Sequence, residues 1–449
     1  MQEKYTYLTK NTALFAISSF GTKILSFLLV PLYTNILTTS EYGIADIITT
    51  TGALLMYICT LDIAEGVLRY VLGKKEKQKE ILAFGIKVLT IGSLVSSFLL
   101  LLIWILGIFE WPVGYYIFTF LYFFFSSTYD IMSKYLRAID KVRDVAIAGI
   151  ISSAGIILGN IFFLLVFKIG MYGYLMALII GPILGTTYSL LRTDLKPSDW
   201  IRSSCDEALK KEILKYCIPL IFNSLALWVN SFLDKYFVTA ICGSAENGIY
   251  AVASKIPTIL STCYLVFTQA WTLSAIKEFD NEDQDGFFSN TYKMYNALMC
   301  IVCSGIILFN IPLARFLYAK DFFVAWRYSS VLLISTLFNW LSAFLGSLFT
   351  SVKKSKTIAY TTILSAAVNT VLNAILIPFW GGLGAAIATA AAYFVMWSVR
   401  LLKLKALIDL RLTLKKDIFV YILLIPQIFF EHQEGHFYVG QILIFVTIA

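Results

Sequence analysis

Apolar runs about as long as a bilayer's hydrocarbon core is thick recur along the whole chain; a helix needs roughly 20 such residues to cross. They lie at 11–33, 42–64, 80–108, 113–133, 145–167 and 171–191. After a polar stretch from Arg192 to Lys215 they resume at 216–240, 247–274, 292–311, 325–350, 358–379 and 383–402. A last pair follows at 417–430 and 437–449, and its second member is short for a span. Backbone amides in lipid have no water to bond, so runs of this length predict helices. With 59% apolar and only 14% charged residues, a soluble globular enzyme and a disordered chain are both excluded. The predicted fold class is therefore an all-α integral membrane protein with 12–14 transmembrane helices. The first run is too long for a cleaved signal and no small-residue cleavage site follows it, so it reads as a retained span.

The cations sort themselves by loop. Of 36 Lys and Arg residues, 28 fall in the N-terminal arm and the loops after even-numbered spans, and four (Lys168, Arg315, Lys320 and Arg327) in the loops after odd ones. By the positive-inside rule this predicts a cytoplasmic N-terminus. It also accounts for the net charge of +8 without nucleic acid, since the basic residues flank apolar runs. The loops are short, so no soluble catalytic domain fits and no enzymatic activity is expected. Cys300 and Cys303 have metal-like spacing but sit inside an apolar run, where a buried structural pair is expected. The only histidines are His432 and His436, and no metal-ligating cluster is expected.

Two short elements recur. Glu41-Tyr42-Gly43-Ile44 opens span 2 and Glu246-Asn247-Gly248-Ile249 opens span 8, an offset of 205. Gly170-Met171-Tyr172-Gly173 opens span 6 and Gly381-Gly382-Leu383-Gly384 opens span 12, an offset of 211. Nearly equal offsets in the same order predict two parallel-repeat six-helix lobes. The expected organisation is an N-terminal lobe at 1–191, a cytoplasmic linker at 192–215, a C-terminal lobe at 216–405, and an extra C-terminal helix pair at 406–449.

Charge inside a membrane is costly, about 2.5–3.5 kcal/mol per residue at mid-span. Lys23 in span 1 and Lys255 in span 8 lie too deep to snorkel easily, roughly 20 and 12 Å along their helices. Two such cations suggest a cavity between the halves that receives an anion. The alternative is that each pairs structurally with a carboxylate such as Asp46 or Asp234. Lys235 in span 7 is a further candidate cation. Arg69 shares a face with Asp62 and Glu65 at the end of span 2, where a local Glu65–Arg69 ion pair is the simpler account. Asp46 and Asp234 are the candidate ion-coupling carboxylates. Pro257, two residues past Lys255, should free the carbonyl of Ala253 and bend the helix. Tyr33, Trp228, Tyr236, Tyr250 and Trp271 could face sugars, or simply pack.

Several motifs carry a resemblance: Glu41-Tyr42-Gly43; Glu246-Asn247-Gly248-Ile249-Tyr250 leading to Lys255-Ile256-Pro257; Gln269-Ala270-Trp271; and Asn373-Ala374-Ile375-Leu376-Ile377-Pro378 running into Gly381-Gly382-Leu383-Gly384-Ala385-Ala386 and Thr389. Together they resemble the polysaccharide or O-antigen flippases (Wzx type) of the multidrug/oligosaccharidyl-lipid/polysaccharide exporter superfamily. The resemblance implies two six-helix lobes around a central cavity in a bacterial cytoplasmic membrane. It implies translocation of an undecaprenyl-diphosphate-linked oligosaccharide to the outer leaflet, beside polymerase and ligase machinery. Lys23, Lys255, Lys235 and Arg69 would then meet the substrate. Asp46 and Asp234 would couple transport to Na⁺ or H⁺, with no other cofactor. The rival on the same fold is a cation-coupled multidrug exporter.

Overall fold

The computed structural model describes residues 27–109, 111–193, 205–262, 286–351, 354–408, 410–431 and 438–448, together with Tyr264, Phe267, Trp271 and Asp283. Among the described residues there is no strand. The helices are α1 (Val30–Ile36), α2 (Thr39–Cys59), α3 (Ile63–Gly73), α4 (Gln78–Ile105), α5 (Val113–Ala138), α6 (Val142–Asn160, prolonged by a π-helical turn over Ile161–Val166) and α7 (Met171–Leu191). They continue with α8 (Glu207–Cys242), α9 (Ser244–Ala253), α10 (Phe287–Leu308), α11 (Asn310–Leu317), α12 (Trp326–Ser351), α13 (Ser355–Lys405), α14 (Leu414–Glu431) and α15 (Tyr438–Ile448).

Eight of these helical stretches are long and apolar enough to cross a membrane, among the described residues. The last of them holds two spans. At 51 residues, α13 would be roughly 75 Å long if straight. Gly381 breaks it with a left-handed φ of 55°, between the expected spans 358–379 and 383–402. The protein is thus an all-helical, multi-pass membrane protein. Most of the first expected span, Lys23 included, lies outside the described residues.

The chain forms two compact units. The first holds Ile44–Trp228 and the described residues before Val30; the second holds Val30–Gly43 and Val229–Ala449. Two helices therefore change unit along their length. α2 does so after Gly43, and α8 after Trp228.

In the first unit, α3 is the organising helix. Its buried residues Ile63, Val67 and Val71 recur every fourth position and meet Ile81 and Leu82 of α4, Ile131 and Tyr135 of α5, and Ile213 and Cys217 of α8. The outer face of α4 is apolar too: Leu94, Phe98, Leu101 and Ile105 are all exposed at helical spacing. In water such a stripe would be a liability, but in lipid it is the solvent-facing surface. The start of α8 is moored to α3 at its polar end. Lys74 Nζ lies 2.8 Å from Glu212 Oε2, and the Tyr70 hydroxyl donates to the Glu212 carbonyl at 3.1 Å. The hydrogen bond that Lys74 donates to the Glu212 carboxylate raises the pKa of its ammonium above the ordinary value.

Two local expectations need correction. The run 42–64 is not one helix: Leu61 and Asp62 both take left-handed φ values, 54° and 53°, and separate α2 from α3. Arg400, counted with the inner-loop cations, is inside α13 and only 5% exposed. The backbone break at the end of α2 depends on Gly92. A Cβ there would stand 2.2 Å from the carbonyl oxygen of Cys59. Gly92→Ala should therefore overpack this crossing and remove about 1–3 kcal/mol of stability. Gly73→Ala, which meets nothing within 4 Å, should not. Thermal unfolding of both variants in detergent separates the two outcomes.

Candidate functional site

Asp234 sits in the second unit on α8 and is 4% exposed. Its Oδ2 accepts the Tyr250 hydroxyl of α9 at 2.5 Å and lies 3.4 Å from Thr389 Oγ1 on α13. Asn369 Nδ2 donates to Thr389 Oγ1 at 3.1 Å, and Asn373 Nδ2 to Asn369 Oδ1 at 2.9 Å. Asn369 and Asn373 are one helical turn apart on α13, so both side chains share the buried face that Thr389 reaches from beyond the Gly381 break. Asn373 Oδ1 is buried with no donor to meet it. The buried cluster is thus rich in oxygen acceptors around one carboxylate. That set suits a hard monovalent cation or a proton, and lacks the soft donors of a transition-metal site. Among the described residues no group of three or more His, Cys, Asp or Glu side chains could hold a metal ion.

A relay of hydrogen bonds braces this cluster. Asn230, one turn before Asp234, donates from Nδ2 to the Thr362 carbonyl at 3.1 Å, and its own carbonyl accepts the Tyr393 hydroxyl at 3.3 Å. Arg400 donates to Thr361 Oγ1 at 2.9 Å, Thr362 Oγ1 at 3.0 Å and the Ser342 carbonyl at 2.8 Å. A buried guanidinium held by neutral acceptors ties α12 to both ends of this hairpin.

The helix is interrupted at Ser254–Ile256, and Lys255, half-buried, is the middle residue of that turn. Pro257 cannot donate to the Ala253 carbonyl, which instead accepts the Ser329 hydroxyl of α12 at 3.0 Å. The freed carbonyl is therefore satisfied across helices. Lys235 is buried beside Asp234, its Nζ 5.3 Å from the centre of the Phe232 ring. The structure thus brings Asp234, Lys235 and Tyr250 together, with Lys255 one turn beyond.

The other expected residues belong to the first unit. Asp46 is half-buried in α2, and Arg69 is exposed on α3. The expected Glu65–Arg69 pair is replaced by a pair between Glu65 and Lys134 of α5. Asp62, at the helix break, accepts the Ser224 hydroxyl at 2.8 Å, and Asp130 feels the charges of Lys134, Glu65 and Asp62. Arg69 is left on the outer face because α3 turns Glu65 toward α5. Lys23, Gln269 and Ala270 lie outside the described residues, as do His432 and His436.

Four of the five candidate sugar-facing rings are committed to packing. Tyr33, Trp228, Tyr250 and Trp271 are all buried. Trp228 Nε1 donates to the Thr50 carbonyl at 3.3 Å, and Trp271 stacks on Phe344 at 4.4 Å while donating to Ser347 Oγ at 2.7 Å. Tyr236 alone remains half-buried. Sequence reasoning missed Asn369, Thr362, Arg400 and Lys134 as parts of these clusters. Asn369 and Asn373 carried a usable signal, namely two amides one turn apart in an apolar run. Removing the acceptor in Asp234→Ala should strand the Tyr250 hydroxyl and cost about 1–3 kcal/mol, with a smaller loss in Asp234→Asn, which keeps an acceptor. Unfolding temperatures in detergent rank the two variants.

Comparisons with known proteins agree with this architecture. The fold is similar to that of the lipid II flippase MurJ in an inward closed conformation, with a TM-score of 0.69 at 16% identity over 97% of each chain. It is also similar to a multidrug resistance MATE family transporter of the MOP superfamily in its inward-facing conformation, with a TM-score of 0.64 at 14% identity, covering 86% of this chain and 98% of that one. In sequence, the chain is 23% identical over 222 residues to the probable low-salt glycan biosynthesis flippase of Haloferax volcanii, a match spanning 46% of each protein. The profile of the polysaccharide biosynthesis proteins matches residues 8–272. That match covers more than half of the chain, which therefore belongs to the polysaccharide biosynthesis protein family.

Proposed function

We propose that the protein is a flippase, not an enzyme, that moves a lipid-linked oligosaccharide across a bacterial cytoplasmic membrane for surface polysaccharide assembly. The substrate is an undecaprenyl-diphosphate-linked oligosaccharide carried from the cytoplasmic to the outer leaflet by alternating access. The observation that carries this reading is Lys255, an ammonium held in the broken turn of a membrane helix in a chain of this family. A diphosphate dragged into low dielectric needs a cation to meet it. Broken helices are where transporters place such groups. Lys23 and Lys235 supply further positive charge in this reading, and Arg69 meets the headgroup at the membrane surface.

Asp234 is the coupling group. A Na⁺ or proton entering its pocket would compete with the Tyr250 hydroxyl for Oδ2 and so act directly on α9, the helix that leads to Lys255. Asp46 is the second candidate carboxylate in this reading, in the first unit. The likeness to a multidrug transporter supports a second reading, cation-coupled drug export, in which a buried carboxylate serves the same purpose.

Purification from cells that make lipid-linked glycans, followed by mass spectrometry of the bound lipid, tests the proposal. Wild type should retain a polyprenyl-diphosphate glycan, and Lys255→Ala should retain about tenfold less while remaining folded. Equal retention by both would move the anion site elsewhere. Absence of the lipid from wild type, with uptake of a cationic dye driven by an ion gradient, would favour drug export. In reconstituted vesicles, Asp234→Asn should abolish the dependence of transport on Na⁺ or pH. A variant that keeps its ion dependence would remove Asp234 from the coupling step.

A further inference from the structure

Four polar residues recur at every fourth position on the first half of α13: Thr361, Ser365, Asn369 and Asn373, none more than 1% exposed. They stripe one face of the helix over roughly 18 Å. Such polarity is expensive in a membrane and characteristically marks an ion or proton path. The stripe forms a seam with the second half of the same helix. Asn369 meets Thr389, Ser365 Oγ donates to the Ala392 carbonyl at 3.1 Å, and Thr361 meets Arg400. Asp234 touches the seam near one end through Thr389, and Arg400 closes the other. All of these groups belong to the second unit. The hydroxyl of Ser342, whose carbonyl bonds the guanidinium, is buried with no partner, as is Asn373 Oδ1.

A guanidinium is an unusual way to end such a seam. The N–H groups of Arg400 go to Thr361 Oγ1, Thr362 Oγ1, the Ser342 carbonyl and, at 3.5 Å, the Ile358 carbonyl, all of them neutral. Among the described residues it forms no ion pair with a carboxylate. A neutral amide would make several of the same bonds without carrying a charge into dry surroundings. What the charge adds is a field. In low dielectric a fixed cation repels a second one over distances at which water would screen it. Fixed positive charge is also a general means of keeping cations and protons out of a pore. Along α13, Arg400 stands about 16 Å from Thr389, too far to pair with Asp234 but directly on the seam that leads from it. Lys353, Lys354 and Lys356 precede the seam in sequence and Lys403 and Lys405 follow Arg400, so the positive-inside rule puts this end on the cytoplasmic side.

We propose that Arg400 is an electrostatic stop at the cytoplasmic end of this seam, which keeps a Na⁺ or proton held at Asp234 from slipping through the second unit without transport. The inference rests on the reading of Asp234 as the coupling group. The full chain in proteoliposomes, with no glycan present, tests it through the leak of ²²Na⁺ and of protons, the latter followed with a trapped pH dye. Arg400→Gln removes the charge. Thr362→Asp cancels it in place while keeping the guanidinium and nearly the same side-chain volume, so it answers the question even where the arginine variant fails to fold. Both should leak about tenfold faster than wild type or more, for one of the two cations. Arg400→Lys, which keeps the charge, should stay as tight as wild type. Adding Asp234→Asn to either leaky variant should silence the leak.

Tight vesicles with both Arg400→Gln and Thr362→Asp, each folded by gel filtration and thermal unfolding, would overturn the stop. So would an equal leak in Arg400→Lys, which would make the residue a packing staple, or a leak that survives Asp234→Asn, which would put the path elsewhere. The two readings separate in the wild type. If the variants leak as expected but glycan delivery by wild type is indifferent to the ion gradient, the stop stands and the coupling role of Asp234 falls. If delivery follows the gradient and the variants stay tight, the coupling role stands and the stop falls.

Discussion

A polar group carried into lipid finds no water there, so the polar groups at the helix breaks of this chain are partnered inside the protein. The helix breaks show how that demand is met. Where Pro257 frees the Ala253 carbonyl, Ser329 supplies a hydroxyl. Where Gly381 interrupts α13, the amide of Gly382 is accepted by Glu246 of α9, which also accepts the Tyr328 hydroxyl. Where Leu61 and Asp62 end α2, Ser224 caps the Asp62 carboxylate. Each break is stitched by a side chain from a helix distant in sequence, so local irregularity becomes tertiary linkage. Breaking a stitch would leave a bare polar group in a dry environment, which is why the breaks stay where they are.

The same constraint explains the site. An aspartate buried on α8 is tolerable because Tyr250 and Thr389 approach it, and Thr389 can do so because Gly381 breaks α13. Asn369 and Asn373 extend the network along the first half of α13, and Arg400 anchors its far end through Thr361 and Thr362. One short helix, α9, touches almost every part of this arrangement. Glu246 reaches the α13 break, Asn247 and Gly248 reach the backbone of Gly43 and Thr39, Tyr250 reaches Asp234, and the turn that follows holds Lys255. In the proposed function, a cation or proton at Asp234 would thus act on the helix that leads into the turn holding Lys255. Coupling between them requires only that α9 move as a body.

Much of the fold was legible because lipid imposes a crude, one-dimensional filter. A run of about twenty apolar residues is sufficient to predict a crossing whatever it packs against. The expected spans from 80 to 191 and from 292 to 430 fall on helices α4–α7, α10 and α12–α14 for that reason, although α5 and α14 are not among the eight stretches long and apolar enough to cross. Where the reading went astray, the cause was contact between helices. Glu65 and Arg69 lie one turn apart and would pair on an isolated helix, yet α5 brings Lys134 to Glu65 and leaves Arg69 facing outward. Arg400 stands near a helix end and reads as a loop cation, but α12 supplies the carbonyl of Ser342 that helps bury it. The aromatic residues that look available for sugars are absorbed by stacking partners such as Phe344.

By itself, then, the sequence determined that the chain is all-helical and membrane-embedded, and that Asp234, Lys255 and Pro257 are unusual in apolar runs. These follow from hydropathy, charge and proline chemistry, each a property of a residue and its near neighbours. Only the tertiary structure decided which groups meet: Asp234 with Tyr250 and Thr389, Glu65 with Lys134, Gly43 with Ser244. Those partners are separated by 16 to 201 positions along the chain. Hydropathy is blind to such pairings, since which faces of the helices close on one another is settled by packing and polar satisfaction across the whole unit.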